Sequence, residues 1–215
     1  MIGNPRITDY IRSLEPDGDP LLMEIEDRAR RERVPIIRKE TAALLKTLVA
    51  GMGPESILEI GAAVGYSALL MASVMGADCH ITTIEKYEKR IPQARENFRL
   101  AGRERDITLL EGDAGEILAG LSPEAFDFIF LDGAKGQYIH WLEDVLRCLR
   151  PGGMLVSDNV LQDGDIIQSR FAVERRNRTI HSRMREYLFA LKHTEGLETS
   201  ILPIGDGVTI SVKRK

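Results

Sequence analysis

The sequence predicts an α/β fold: a mostly parallel sheet of seven strands with helices on both faces, one antiparallel strand from a C-terminal hairpin, and extra helices at the N-terminus. Three observations carry this. Residues 56–85 read as a β-α-β unit, with the apolar run SILEI, the small-residue turn GAAVG, a helix start at YSALLMA and a second apolar run ending on Glu85. Strand and helix patterns then alternate as far as residue 158, which is the mark of a parallel sheet. Two last strands flank Pro203-Ile204-Gly205-Asp206-Gly207, a hairpin connection that turns one strand antiparallel.

The elements follow in order. Residues 5–15 and 21–33 read as helices separated by the breaker Pro16-Asp17-Gly18-Asp19-Pro20. Arg28, Arg30, Arg31 and Arg33 alternate there with acids and read as a solvated face laced by i,i+4 pairs. Pro35 is expected to open a third helix that ends near Gly51. The expected strands are 56–60, 79–85, 106–111, 126–132, 154–158, 197–202 and 207–213. Helices are expected at 65–75, 87–101, 114–120 and 138–149, and a long one within 168–192. At 215 residues this is one domain by size, with a helical cap over 1–51 and the α/β core over 52–215.

Composition narrows the class. Apolar residues make up 43% and charged residues 29%, the balance of a globular protein, and the formal charge is −4, so any polyanion must meet a local patch. Cys79 and Cys148 both fall in apolar elements and form neither a disulfide framework nor a metal knuckle, which suits a cytoplasmic location. No signal-type leader and no membrane-length apolar run is read.

The turn after the first strand decides the ligand. Glycines at 61 and 65 give E-x-G-x-x-x-G, not the G-x-G-x-x-G that brings a helix N-terminus to a pyrophosphate, which argues against a dinucleotide-dependent oxidoreductase. Glu59, just before the turn, would repel a pyrophosphate and could hold a cationic amine. Glu85 can accept from two ribose hydroxyls. A cationic ligand with a ribose and no phosphate is S-adenosylmethionine. Against this stands an ordinary strand–helix turn.

A second group lies further on. The strand FDFIFLD ends on Asp132 and the strand MLVSDN ends on Asp158 and Asn159. If these ends are close, two carboxylates and an amide oxygen meet at the carboxyl edge of the sheet, the hard-oxygen set that suits Mg²⁺. The bland alternative is that these residues cap turns. Lys135, three positions after Asp132, is placed to take a proton from a substrate oxygen. The alternative for it is a loop lysine.

Nearly the whole chain, 35–215, resembles the metal-dependent O-methyltransferases of the catechol and caffeoyl-CoA type. LEIGAAVGYSA, TIEKYEK, EGDA, FLDGAKGQY and SDNVL match in order and spacing. The resemblance implies a Rossmann-like methyltransferase fold, S-adenosylmethionine and Mg²⁺ or another hard divalent cation, and a homodimer. It assigns the metal to Asp132, Asp158 and Asn159, catalysis to Lys135 as base beside Asp132, and the ribose to Glu85. Adenine would lie beside Asp113 and Ala114. Glu59, Gly61, Tyr66, Ser67 and Ile37 would hold the methionine portion, with Asp132 close by. Plant caffeoyl-CoA enzymes carry an acid where this chain has Ala134, so here the cofactor's amine must rely on other groups.

The substrate is the open question. Vicinal oxygens are needed, and both catechols and 5-hydroxyuracil supply them. The segment RFAVERRNRTIHSRMR holds six arginines against one acid, Glu174. Drawn as one helix over 175–191, it sets Ile180, Met184, Tyr187, Leu188 and Leu191 on one face and Arg175, Arg178 and Arg185 on the other. Composition alone favours a solvated helix, or one that meets an acidic small molecule such as a CoA ester. However, VPIIRKET and RNRTIHSRMREYL resemble the bacterial subgroup that methylates 5-hydroxyuridine at the tRNA wobble position. That resemblance implies a tRNA anticodon substrate first, an RNA role for Arg175, Arg178 and Arg185, and a small phenolic second.

Overall fold

The computed structural model describes residues 5–215. The strands are β1 (Ser56–Ile60), β2 (His80–Glu85), β3 (Ile107–Glu111), β4 (Phe126–Leu131), β5 (Leu149–Ser157), β6 (Leu197–Leu202) and β7 (Val208–Lys213). They form one sheet in the order β3-β2-β1-β4-β5-β7-β6. β1 to β5 run parallel, and β7 runs antiparallel to both β5 and β6. The mostly parallel seven-stranded sheet expected from the sequence is therefore present, and it is the Rossmann-like methyltransferase arrangement.

Side-chain alternation builds the two layers. Ile57, Phe128, Phe130 and Val156 face one apolar cluster, together with α4 (Tyr66–Ala72) and α5 (Ile91–Leu100). Leu58, Ile60, Ile129, Leu131 and Leu155 face the other, under α6 (Ala114–Gly120), α7 (Tyr138–Cys148) and α8 (Arg178–His193). The N-terminal helices α1 (Pro5–Ser13), α2 (Pro20–Arg31) and α3 (Lys39–Met52) join the first cluster through Ile25, Ala29, Leu45 and Val49, so the cap shares its core with the sheet.

Two elements depart from expectation in ways that bear on the site. Pro35 opens no helix: α3 starts at Lys39, and Arg38 is extended (φ −71°, ψ 155°). The stretch 34–38 is thereby free to line a cavity, with Ile37 buried. The long helix starts at Arg178, directly after a 3-10 turn at Arg175–Asn177, and further upstream Gln162 (φ 50°), Asp163 (φ 54°) and Gly164 (φ 99°) are left-handed. Arg175 thus lies in a 3-10 turn ahead of α8. A smaller difference concerns β5, which begins at Leu149, with a register shift across Pro151-Gly152-Gly153.

At the amino edge of the sheet, Asp127 is fully buried and fully used. It accepts from the Glu55 N–H (2.8 Å) and the Ser56 N–H (3.0 Å) and pairs with Arg150 (2.7 Å).

Candidate active site

The strand order reverses between β1 and β4, and at that point the carboxyl ends of the strands diverge around a cavity of about 530 Å³. Its walls come from the 35–38 stretch, the β1–α4 turn, and the ends of β2, β4 and β5. Gly61 sets the floor. It has φ +108°, and a Cβ there would collide with the Asp132 carbonyl, so only glycine lets the β1 turn pass under the end of β4. Asn97, buried on α5, donates to the Val64 carbonyl (2.7 Å) and fixes the turn from behind. Arg28 of α2 in turn donates to Asn97, which takes it off the solvated face expected for that helix.

The expected cofactor residues divide into those in the wall and those behind it. Ile37, Gly61, Tyr66, Ser67, Glu85, Ala114 and Asp132 line the cavity. Glu85 is gripped by backbone. Oε2 accepts from Ala63 N–H (2.8 Å), and Oε1 accepts from Lys86 N–H (2.9 Å) and Tyr87 N–H (2.8 Å). Three of a carboxylate's roughly four lone-pair positions are taken, so accepting from two ribose hydroxyls requires one backbone bond to yield. Asp113 stands outside the wall: it caps α6 through the Gly115 N–H (2.9 Å) and meets Lys86 (3.3 Å).

Glu59 is also behind the wall. It is 0% exposed, its Oε2 accepts from the Thr83 hydroxyl, and its Oε1 has no partner among the described residues. Burial raises its pKa to about 7, against the pull of Ser67 and Thr83. The direct contact with a ligand amine expected of it is not offered by this geometry, because its carboxylate is sealed from the cavity.

Of the second constellation, Asp132 and Asn159 line the cavity, while Asp158 lies fully buried behind its wall. The Asp158 N–H donates to the Leu131 carbonyl (3.0 Å), which holds the end of β5 against the end of β4. Tyr138 Oη, also buried, bonds the carbonyls of Leu131 (3.2 Å) and Asp158 (3.3 Å). Asp158 is fully buried; Oδ1 accepts from the Asn159 N–H (2.8 Å) and Oδ2 has no partner among the described residues. The pKa values of both Asp132 and Asp158 are raised, first by burial and then by neighbouring carboxylates.

Asp206 was not foreseen. It is 6% exposed and accepts from Asn159 Nδ2 (2.7 Å), with Lys135 Nζ at 3.6 Å and Arg38 at 3.9 Å from its other oxygen. Because a carboxylate only accepts, the Asn159 amide must present nitrogen to Asp206, and its oxygen is left for another partner. The sequence did hold a signal. An antiparallel strand beside β5 brings the turn before it to the carboxyl edge, yet Gly205-Asp206-Gly207 read only as turn chemistry. Trp141 lines the cavity too, without having been singled out.

Does this donor set suit a divalent cation? Among the described residues, no three His, Cys, Asp or Glu side chains gather as a ready-made cluster. What is present among the described residues is an Asp132 whose pKa is raised by burial and by Asp158, an Asp158 raised by burial and by Asp206 that keeps one buried oxygen without a partner, and the Asn159 amide oxygen. Lys135 and Arg38 offset these acids only in part, since the pKa values of Asp132 and Asp158 stay raised, and a hard cation such as Mg²⁺ fits the donors.

The basic segment lies alongside. Arg183 Nη1 donates to the Gly136 carbonyl (3.1 Å), which ties α8 to the residue after Lys135. Met184, Tyr187 and Leu191 are buried as expected, and so is His181. Arg178 donates to the carbonyls of Val173 (3.3 Å) and Phe171 (3.2 Å), and Arg185 to that of Ile166 (2.9 Å). Both pin the preceding loop, whereas Arg175 is exposed.

Comparison with known proteins agrees with this geometry. The O-methyltransferase family model matches residues 16–214. The catechol O-methyltransferase of Niastella koreensis is 34% identical over 166 residues, covering 75% of each chain. A candidate caffeoyl-CoA O-methyltransferase from Staphylococcus aureus superposes with a TM-score of 0.85 at 30% identity, covering 97% of each chain. The Podospora anserina methyltransferase PaMTH1, solved with S-adenosylhomocysteine, has a TM-score of 0.87 at 25% identity and covers 98% of this chain and 94% of its own. The motifs, the sheet order and these likenesses together show that this chain belongs to the O-methyltransferase family.

Proposed function

We propose that this O-methyltransferase uses S-adenosylmethionine and a divalent cation to methylate 5-hydroxyuridine at the tRNA wobble position. The observation that carries the substrate is the hydrogen bond from Arg183 to Gly136. It sets an arginine-rich segment at the rim of the cavity that holds Lys135. A basic rim on a chain of formal charge −4 suits a polyanion whose reacting base must enter that cavity.

Asp132, Asp158 and Asn159 would hold the cation, and its charge would acidify a substrate hydroxyl beside it. The remaining work belongs to the chain. Lys135 Nζ takes the proton from the hydroxyl to be methylated, and Asp206, at 3.6 Å, steadies the ammonium that forms. Asp206 also fixes the Asn159 amide. Glu85 orients the ribose end of the cofactor, while Ile37, Tyr66 and Trp141 keep water from the reacting groups. Holding donor and acceptor in line supplies much of the rate, because the sulfonium is already activated. We carry the homodimer as part of this proposal: α1 leaves Ile7, Tyr10 and Ile11 exposed, and light scattering of the full chain tests whether a second copy is present.

A second reading, a small catechol-like or phenolic substrate, is favoured by the apolar lining from Ile36, Ile37 and Trp141. The two readings separate in one experiment. Arg178 and Arg185 also hold the fold, so the test uses Arg175→Ala with Arg176→Ala, both of them exposed. A hydroxyuridine-containing anticodon stem-loop is expected to lose methylation, and its binding to lose salt dependence at about 0.7–0.9 of slope per phosphate contact. Catechol methylation is expected to stay at the wild-type level. Equal stem-loop methylation by both proteins would move the small phenolic to first place.

A further inference from the structure

We propose that Arg38 sets the substrate specificity of the methyl-transfer cavity by donating to the carbonyl edge of a pyrimidine, an acceptor that a catechol lacks. The assignment rests on the tRNA substrate proposed for that cavity, and Arg38 belongs to the VPIIRKET stretch.

Three segments meet at this residue. Arg38 ends the extended stretch ahead of α3 and lines the cavity together with Pro35, Ile36 and Ile37. Its side chain packs on the β6–β7 turn, with Cδ 3.6 Å from where a Cβ on Gly205 would stand. Nη2 donates to both oxygens of Asp163 (2.8 and 2.9 Å), in the loop after β5, and lies 3.9 Å from Asp206 Oδ2. Asp163 is left-handed (φ 54°), a backbone state that persists where contacts fix it. The guanidinium is therefore held in place before any substrate arrives.

Holding it uses one nitrogen. Nε and Nη1 have no hydrogen-bond partner among the described residues, so their N–H groups remain to donate. They are next to the chemistry, because Lys135 Nζ lies 3.6 Å from the same Asp206 oxygen and both cations stand around that one atom. A six-membered ring is long enough to put its hydroxyl at Lys135 and its far edge at Arg38. Pro35, Ile36 and Ile37 give the face of such a ring an apolar wall.

Charge decides what the far edge carries. Arg38 already has Asp163 and Asp206 beside it, so a further full charge is not needed to offset it. A neutral acceptor suits its unused N–H groups. The uracil ring has two carbonyls: one lies beside the 5-hydroxyl, and the other, between the two ring nitrogens, is free to accept. A catechol carries only C–H groups on that edge and leaves the donors unpaired, which is how a polar site rejects an analogue.

The test compares wild type and Arg38→Ala, as full chains, on two anticodon stem-loops. One carries 5-hydroxyuridine and the other 5-hydroxy-2-thiouridine, whose sulfur is a weak acceptor. Arg38→Ala is expected to lower kcat/KM for the first stem-loop about ten- to a hundredfold, the loss of a hydrogen bond from a charged donor. The thio exchange is expected to cost wild type about tenfold and Arg38→Ala nothing. Catechol methylation is expected to stay level or rise in Arg38→Ala, and S-adenosylmethionine affinity by calorimetry to stay at the wild-type value. A thio penalty equal in both proteins overturns the assignment, since the loss is then structural or the partner is a phosphate. Wild-type methylation of the first stem-loop by Arg38→Ala overturns it as well. If Arg38→Ala does not fold, Asp163→Ala releases the guanidinium instead: a smaller thio penalty is expected, and an unchanged one overturns the assignment. Wild type that methylates neither stem-loop is a different result, which removes the tRNA substrate itself and the role of Arg38 with it.

Discussion

The two edges of the sheet treat buried acids in opposite ways. At the amino edge, Asp127 has two backbone N–H groups and Arg150 around it. At the carboxyl edge, Asp158 and Glu59 each keep one oxygen without a partner among the described residues, and Asp132 has the acids Asp158, Glu59 and Asp206 near it against Lys135 alone. Burial alone does not separate them, since Asp127, Asp158 and Glu59 are all 0% exposed. What differs is satisfaction. Asp127 serves the fold and is paired within it, Asp158 is left short for the proposed cation, and Glu59, sealed from the cavity, holds a proton instead.

Substitution at the two edges should therefore fail differently, and the largest effect is expected at Asp158. Asp158→Ala is expected to lower cation-dependent turnover by about a thousandfold or more, since a ligand bearing a full charge is lost. Its melting temperature is expected to stay level or rise, because an unpaired buried carboxylate has been removed. Turnover that persists in Asp158→Ala and in excess EDTA would show that no cation is used.

Asp127→Ala is the mirror experiment. It strands two backbone N–H groups and frees Arg150, at a cost of about 2–4 kcal/mol of stability. Urea unfolding is expected to show that loss, while turnover per folded molecule stays near wild type. A catalytic loss without a stability loss would erase the distinction between the edges.

How much of this was legible beforehand follows from the same physics. Strand β1 and helix α6 fall at the expected limits, because short apolar runs next to Gly-rich turns, or opened by a capping Asp113, are locally determined. The gathering of Asp132, Asp158 and Asn159 was legible because consecutive parallel strands end on the same edge. Pro35 misled, since a proline suits the first turn of a helix equally well as an extended stretch, and only the need to bury Ile37 on the cavity decides between them. Asp206 and the sealing of Glu59 depend on which side chains end up facing each other across the sheet. Periodicity does not report that.

Glu59 yields a pH prediction. Its carboxyl stays protonated in the folded state up to about pH 7, while an unfolded chain releases that proton from 4.5 upward. The folded state thus holds the extra proton in that window, and stability contributed by the group is lost as pH rises from 4.5 through about 7. The groups around it are the hydroxyls of Thr83 and Ser67 and the charges of Glu85 and Asp132. At about 1.4 kcal/mol per pKa unit the full effect is on the order of 3 kcal/mol. Denaturation of Glu59→Gln at pH 5 and pH 8 is expected to lack that slope. Parallel slopes in variant and wild type would mean that Glu59 is ionised throughout.

The smallest effect is expected at Glu85, which belongs to the carboxyl edge by position and to the amino edge by pairing. Three backbone N–H groups hold it in the cavity wall, so most of its acceptor positions are used before any ligand binds. It has about one lone-pair position to offer, and a ribose hydroxyl that donates to it gains a charge-assisted bond worth roughly 1.5–3 kcal/mol. Glu85→Ala is accordingly expected to weaken S-adenosylmethionine about ten- to a hundredfold by calorimetry. Part of that loss comes indirectly, because the Ala63 N–H is released and the β1 turn loosens. Glu85→Gln separates the two contributions. It keeps an acceptor oxygen for the turn but carries no charge, so an affinity near that of the Ala variant assigns the effect to the ribose contact. If Gln restores wild-type affinity, the carboxylate is a brace for the turn, and Glu85 then belongs with Asp127 among the acids that serve the fold.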